Sequence, residues 1–178
     1  MVRINKLRGV DGSEIVETAF VLPVLFMLLL GIVWFARAFQ TYSAITQAAE
    51  KGAMTAGRPV CASCGGGGWN STSFPDNATV ETAVFDVMDA ARIDRAQTIF
   101  YIPGALQYCV PPVPAGGCDT TTSNISICRS VVLNPGGSVP QCGTIVSFQY
   151  QFRLNLPFTS LDLQNINLKA QAQSRMEN

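Results

Sequence analysis

The chain has 178 residues, with twelve basic and twelve acidic side chains and no histidine. Because the charges balance and are scattered along the chain, the composition argues against nucleic acid as a partner. The absence of histidine removes the commonest general base and the commonest metal ligand, so we expect neither an enzyme nor a metal or cofactor site.

An apolar segment near the N-terminus dominates the sequence. Residues 18–36 carry no charged side chain, and a helix of this length crosses most of a ~30 Å hydrocarbon core. Basic residues are more numerous before this segment than just after it: Arg3, Lys6 and Arg8 precede it, and Arg37 follows it. The positive-inside rule therefore predicts a cytoplasmic N-terminus and an extracytoplasmic remainder.

Glu17 stands at the head of the apolar segment. A carboxylate at the membrane boundary is unfavourable without a partner, so Glu17 either snorkels to the lipid headgroups or pairs with a positive charge. A removable signal peptide cut after Ala38 is the alternative to a membrane anchor. The apolar region of such a peptide normally runs only ~7–15 residues, which favours the anchor.

The residues around Glu17 resemble the N-termini of type IV pilin-like proteins. In those proteins a prepilin peptidase cuts after a glycine, and a glutamate stands fifth in the mature chain; with Ser13 as the first mature residue, Glu17 is the fifth. More narrowly, the chain resembles the TadE family of minor pseudopilins in tight-adherence (Tad) pilus systems. The similarity lies in Arg8-Gly9, residues 12–19, Leu22-Pro23 and residues 30–32, and more loosely in residues 47–53 and around Met176-Glu177.

The sequence departs from the family pattern at Thr18, where the family usually has an aromatic residue. A second register also exists, because cleavage after Gly9 would make Glu14 the fifth residue. We favour cleavage after Gly12, since Glu17 directly precedes the apolar segment.

The resemblance implies a structural subunit that is made as a precursor. Its parts would be a cytoplasmic leader peptide (1–12), a transmembrane helix (13–39), a helical extension (40–57) and an extracytoplasmic head (58–178). Gly12 and Ser13 would form the processing site. Glu17 would be the assembly contact, pairing with the new Ser13 amine of a neighbouring subunit.

The resemblance also implies partners and a location. The partners are a prepilin peptidase, other pilin or pseudopilin subunits, the inner-membrane assembly platform of a Tad-type pilus or secretion apparatus, and the lipid bilayer. The location is the bacterial inner membrane with the head in the periplasm, and the cell surface after assembly. The alternative function is an unprocessed single-pass anchor whose ectodomain binds a ligand or a surface.

Helical spacing continues after the apolar segment over residues 40–56, and Gly57 followed by Pro59 predicts the end of the helix. Its stripe of small residues, including Ala49, Ala53 and Ala56, either bundles with other helices or packs on the head of the same chain.

The rest of the chain predicts an α+β head, with a helix packed on a small antiparallel sheet. Asn77 or Thr79 can cap a helix that runs to about Arg95, and the acidic residues near it are interpreted as a solvated face. Strands are predicted over residues 98–102, 125–133 and 144–156, the last with one buried and one solvated face. A final strand around Ile166 to Ala172 is expected to pair antiparallel with it.

Six cysteines lie on the side that the charge rule places outside the cytoplasm: Cys61, Cys64, Cys109, Cys118, Cys128 and Cys142. They predict up to three disulfides that staple the head, and fifteen pairings remain open. Cys61 and Cys64 also have the spacing of a thiol oxidoreductase site, but they follow a helix end and precede a run of glycines, which favours a structural role.

Overall fold

The structure is a computed structural model that describes residues 11–58, 74–109, 117–154 and 163–175. The chain divides into two compact units, Met1–Phe39 and Gln40–Asn178. Most of the predicted leader, the glycine-rich segment, Cys61 and Cys64 lie outside the described residues. The elements are α1 (Asp11–Gly57), α2 (Asn77–Ala90), a 3-10 helix (Arg95–Gln97), β1 (Thr98–Ile99), β2 (Gly117–Thr120), β3 (Ser126–Val132), β4 (Cys142–Leu154) and β5 (Leu163–Arg175).

The described part of the first unit is helical. Helix α1 is continuous from Asp11 to Gly57 with Pro23 inside it, which confirms the prediction of one long N-terminal helix. Of the helices that the structure describes, α1 alone is long and apolar enough to cross a membrane. The candidate span is Ile15–Gly57, and its most apolar window has a mean hydropathy of 2.6.

The second unit is built on a five-stranded antiparallel sheet with β4 at its centre. Strand β5 pairs with β4 over nearly its whole length, from Gly143 opposite Arg175 to Leu154 opposite Leu163. Strand β3 pairs with the first half of β4, and β1 pairs with residues 149 and 150 further along. Strand β2 pairs with β3 and forms an edge of the sheet. The predicted antiparallel pairing of the last two strands is confirmed.

Helices α1 and α2 pack on this sheet and form its main apolar core. The core contribution from α1 consists of Ile45, Ala48, Ala49, Ala53 and Ala56, each at most 1% exposed. They form one cluster with Ile125, which directly precedes β3, and with the buried residues of α2, β3, β4 and β5, namely Val80, Val84, Phe85, Met88, Ile127, Val146, Phe148, Tyr150 and Ala170. The small-residue stripe therefore packs on the head of the same chain. The predicted α+β fold is confirmed.

The boundaries of α2 differ from the prediction. Its N-cap is Asp76, rather than Asn77 or Thr79, and the Asp76 carboxylate accepts hydrogen bonds from the backbone N–H and the hydroxyl of Thr79. The helix ends at Ala90 rather than near Arg95, because Arg92 adopts a left-handed conformation with φ of 56°. A residue with positive φ cannot continue a right-handed helix.

Two strands and one sheet face also differ from the prediction. Strand β1 is limited to two residues, and β2 forms between the strands predicted over residues 98–102 and 125–133, where no strand was predicted. In the first half of β4 both faces are buried, since Ile145 packs with Cys128 and Val131 in a second cluster on the side away from Val146. The solvated face predicted for β4 is therefore wrong over that half.

Candidate functional site

The N-terminal half of α1 exposes apolar side chains on all of its sides. Between residues 15 and 39 the exposed fraction of these large side chains runs from 39% at Leu30 to 80% at Phe35. Leu28, Leu29 and Leu30 are consecutive and all exposed, and consecutive helical residues point about 100° apart. An apolar surface this large is stable only against lipid or against other apolar helices.

Charged residues bracket this surface. Glu17 is exposed at its start and has no hydrogen bond or ion pair to any side chain that the structure describes. At the other end the Arg37 guanidinium lies 6.0 Å from the centroid of the Trp34 ring. Nineteen residues lie between Glu17 and Arg37, and the helix from one to the other spans about 30 Å, which matches the hydrocarbon core of a bilayer. Tryptophan and arginine are typical of the membrane–water boundary.

A family model described as TadE-like protein matches residues 12–54 of this chain. Over these residues the chain is similar to the TadE-like family. No curated protein and no solved structure matches it. The matched residues take in the exposed apolar surface and most of the core stripe of α1, and the match ends three residues before α1 ends. The TadE-like segment is thus one helix, whose N-terminal part exposes apolar side chains and whose C-terminal part is buried against the head.

The predicted processing site lies at the start of the TadE-like segment. Gly12 and Ser13 fall in the first turn of α1, which begins at Asp11, and Glu17 follows Ser13 by about one helical turn.

The C-terminal end of the TadE-like segment is fitted closely into the head. A Cβ atom at Gly52 would lie 2.5 Å from Val84 Cγ2 on α2 and 3.3 Å from Val146 Cγ1 on β4. Gly52 thus marks a point where two helices and the sheet meet without room for a side chain. The sequence shows a glycine in a helix, but only the tertiary contacts give the reason for it.

Two disulfides between described cysteines hold the sheet of the head. Cys109 is bonded to Cys142 at the start of β4, with their Cα atoms 6.1 Å apart. Cys118 and Cys128 lie directly opposite each other on β2 and β3 and are bonded, with their Cα atoms 3.9 Å apart. None of the cysteines in the described part of the chain is free. The second bridge joins the exposed edge strand β2 to the buried strand β3.

Arg129 of β3 joins the sheet to the start of α2. Its guanidinium donates hydrogen bonds to Asn77 Oδ1 at 2.9 Å and to the Pro75 carbonyl at 2.7 Å. Asn77 in turn donates to Asp119 Oδ2 at 3.1 Å. Partial burial lowers the pKa of Arg129, and Asp119 and Asp76 counter this by attraction. Sequence reasoning missed this contact, because a single arginine in a strand does not indicate its partner.

Proposed function

We propose that this chain is a membrane-inserted minor pilin-like subunit of a Tad-type pilus or secretion apparatus. It is made as a precursor in the bacterial inner membrane, with its N-terminus in the cytoplasm and its head in the periplasm. The observation that carries the proposal is the coincidence of the TadE-like match with a helix whose apolar surface is exposed on all sides and begins at an acidic residue. Such a helix can be covered by lipid before assembly and by apolar partner helices after it, as the role of a pilin-like subunit requires.

Processing between Gly12 and Ser13 changes the charge at the membrane boundary. The cut removes Arg3, Lys6 and Arg8, which hold the precursor in its orientation. It also creates an ammonium group on Ser13, about one helical turn before Glu17. A carboxylate and a new cation then lie at the same boundary, where the low dielectric strengthens their attraction.

Glu17 supplies the assembly contact. A neighbouring subunit that is shifted along the helix axis brings its Ser13 amine to this carboxylate, so both charges enter the apolar environment as a pair rather than alone. The pair would fix the axial register between two helices whose apolar surfaces otherwise carry no directional contact. Prepilin peptidase, other pilin or pseudopilin subunits and the inner-membrane platform are the partners that this role requires.

Cleavage is tested by expressing the precursor with and without a prepilin peptidase and measuring the intact mass of the membrane-extracted protein. We expect a chain that begins at Ser13 when the peptidase is present and at the original N-terminus when it is absent. Gly12→Val should block the cut, and Gly9→Val, the matched control, should leave it unchanged. A product that begins at Val10 would instead establish the other register, and an uncleaved functional chain would refute processing.

Assembly is tested on the processed chain by co-purification with its partner subunits. Glu17→Ala should reduce co-purification by more than about tenfold, because one member of a buried charge pair is left alone. Glu14→Ala, one turn earlier, is the control for a general loss of charge near the N-terminus. If the Glu17→Ala chain co-purified with its partners as well as the parent does, the proposed contact between Glu17 and the Ser13 amine would be refuted.

A further inference from the structure

A groove on the head has no role in the function proposed above. It has a volume of about 770 Å³ and lies between α2, the 3-10 helix and the turn that joins β2 to β3. Small-molecule sites typically have volumes of about 300–1,000 Å³. The polar side chains that line it are Glu81, Thr82, Asp86, Arg95, Thr98, Thr122, Ser123 and Asn124, joined by Ala78, Phe85 and Ala96.

Two charged side chains of the groove are held in place by neighbours. Ser123 Oγ donates a hydrogen bond to Glu81 Oε1, which leaves Glu81 Oε2 as an acceptor. Arg95 Nε donates to Asp89 Oδ1 at 2.8 Å, and its Nη2 donates to the other oxygen of the same carboxylate. The guanidinium also lies 4.8 Å from the centroid of the Phe85 ring. Arg95 Nη1 therefore remains available as a donor.

The turn wall adds further polar groups. Asn124 Nδ2 donates to the Thr98 carbonyl at 3.1 Å, which leaves Asn124 Oδ1 as an acceptor. Asp86 and Thr122 have no hydrogen-bond partner among the described residues, and both are exposed. The groove thus places three groups that are held by neighbours, on Glu81, Arg95 and Asn124, beside the exposed and unpartnered side chains of Asp86 and Thr122. Groups that are already held in position lose little conformational entropy when a ligand binds.

The lining excludes two classes of ligand. The lining contains two carboxylates, on Glu81 and Asp86, and one cation, Arg95, whose charge is balanced by Asp89, so phosphates and other anions are repelled. Phe85 is only 6% exposed and the remaining apolar lining consists of alanines. A hydrophobic ligand would therefore bury little apolar surface.

A hydroxyl group both donates and accepts hydrogen bonds, which matches the alternation of carboxylate, guanidinium, hydroxyl and amide groups in this groove. We propose that the groove binds a neutral polyhydroxylated ligand, a short saccharide. Asp86 and Glu81 accept hydrogen bonds from its hydroxyls, and Arg95 and Thr122 donate to its ring and hydroxyl oxygens.

The test is a calorimetric titration of the full-length chain in micelles of a detergent without sugar headgroups. The probes are cellotriose, maltotriose and tri-N-acetylchitotriose, with spermidine as a cationic ligand and a neutral tripeptide amide for comparison. We expect saturable binding of at least one saccharide. Asp86→Ala should weaken that binding at least about tenfold, because a hydrogen bond to a charged group is lost. Glu50→Ala, an exposed carboxylate on α1 outside the groove, is the matched control and should leave the affinity unchanged.

Asp86 is exposed, and a thermal unfolding curve for each variant establishes that the head remains folded. The proposal is overturned if the parent binds none of the three saccharides, or if Asp86→Ala binds as tightly as the parent. It is also overturned if spermidine or the tripeptide amide binds more tightly than every saccharide, since the groove would then select a different ligand class.

Discussion

Gly52→Ala should destabilise the head, although alanine is the better helix former. The added Cβ would lie 2.5 Å from Val84 Cγ2, whereas carbon atoms in contact prefer about 3.5–4.0 Å. Val84 is fully buried and β-branched, so it has essentially one rotamer in a helix and cannot turn away. Overpacking of this kind costs about 1–3 kcal/mol. The gain in helix propensity offsets about 1 kcal/mol of this cost, and we expect a net loss of about 1 kcal/mol.

The assay is unfolding of the full-length chain in micelles, followed by near-ultraviolet circular dichroism of the head. A loss of about 1 kcal/mol lowers the unfolding midpoint by about 4 °C for a domain of this size. The decisive comparison adds Gly52→Ala to a Val84→Ala chain, in which the blocking methyl group is absent. There the same change should be neutral or stabilising. Gly31→Ala, with no atom within 4 Å of the added Cβ, is the control. The explanation fails if Gly52→Ala stabilises the parent, or destabilises both backgrounds equally.

The disulfides and the cap of α2 give further predictions. Loss of the Cys109–Cys142 bridge, which closes 33 residues, should cost about 4 kcal/mol, and loss of the Cys118–Cys128 bridge, which closes 10 residues, about 3 kcal/mol. Urea unfolding compares two double variants, Cys109→Ser with Cys142→Ser and Cys118→Ser with Cys128→Ser. The first should lose more free energy of unfolding than the second, and the reverse result would contradict the loop-length argument. Hydrogen bonds from Thr79 lower the pKa of Asp76 below its usual 3.8. Its stabilising effect is therefore complete above pH 3.8 and is lost as the pH falls through the lower folded value. Asp76→Asn keeps the cap but cannot titrate, so its unfolding midpoint should fall less steeply over that range, and parallel curves for the two chains would contradict the cap's role.

Periodicity in the sequence predicted the elements that bury a regular face. The long helix, α2, β3, β4 and β5 all follow from apolar spacing, and the predicted processing motif near Glu17 rests on the sequence alone. Strand β2 was not predicted, because its sequence Gly117-Cys118-Asp119-Thr120 has no apolar alternation. It is held instead by its pairing with β3 and by the cross-strand disulfide.

Other features depend on contacts between segments far apart in the chain. Ser147 is a polar residue of β4, yet it is buried because its hydroxyl donates to the Tyr101 carbonyl at 2.9 Å. The groove likewise forms only when α2 meets the turn before β3, so its residues show no common pattern in the sequence. Helical spacing alone could not decide whether the small-residue stripe of α1 bundles with other helices or packs on its own head, since both arrangements bury the same face.

The residues that α1 contributes to the head limit where this protein can be divided. Five of the fifteen buried residues in the main cluster come from α1. A soluble version that starts after Gly57 would lack a third of the main cluster and should not fold, whereas one that starts at Gln40 retains all of it. For the same reason, a chimera that exchanges heads between related proteins must include residues 40–57, the last five turns of α1, together with the head on which they pack.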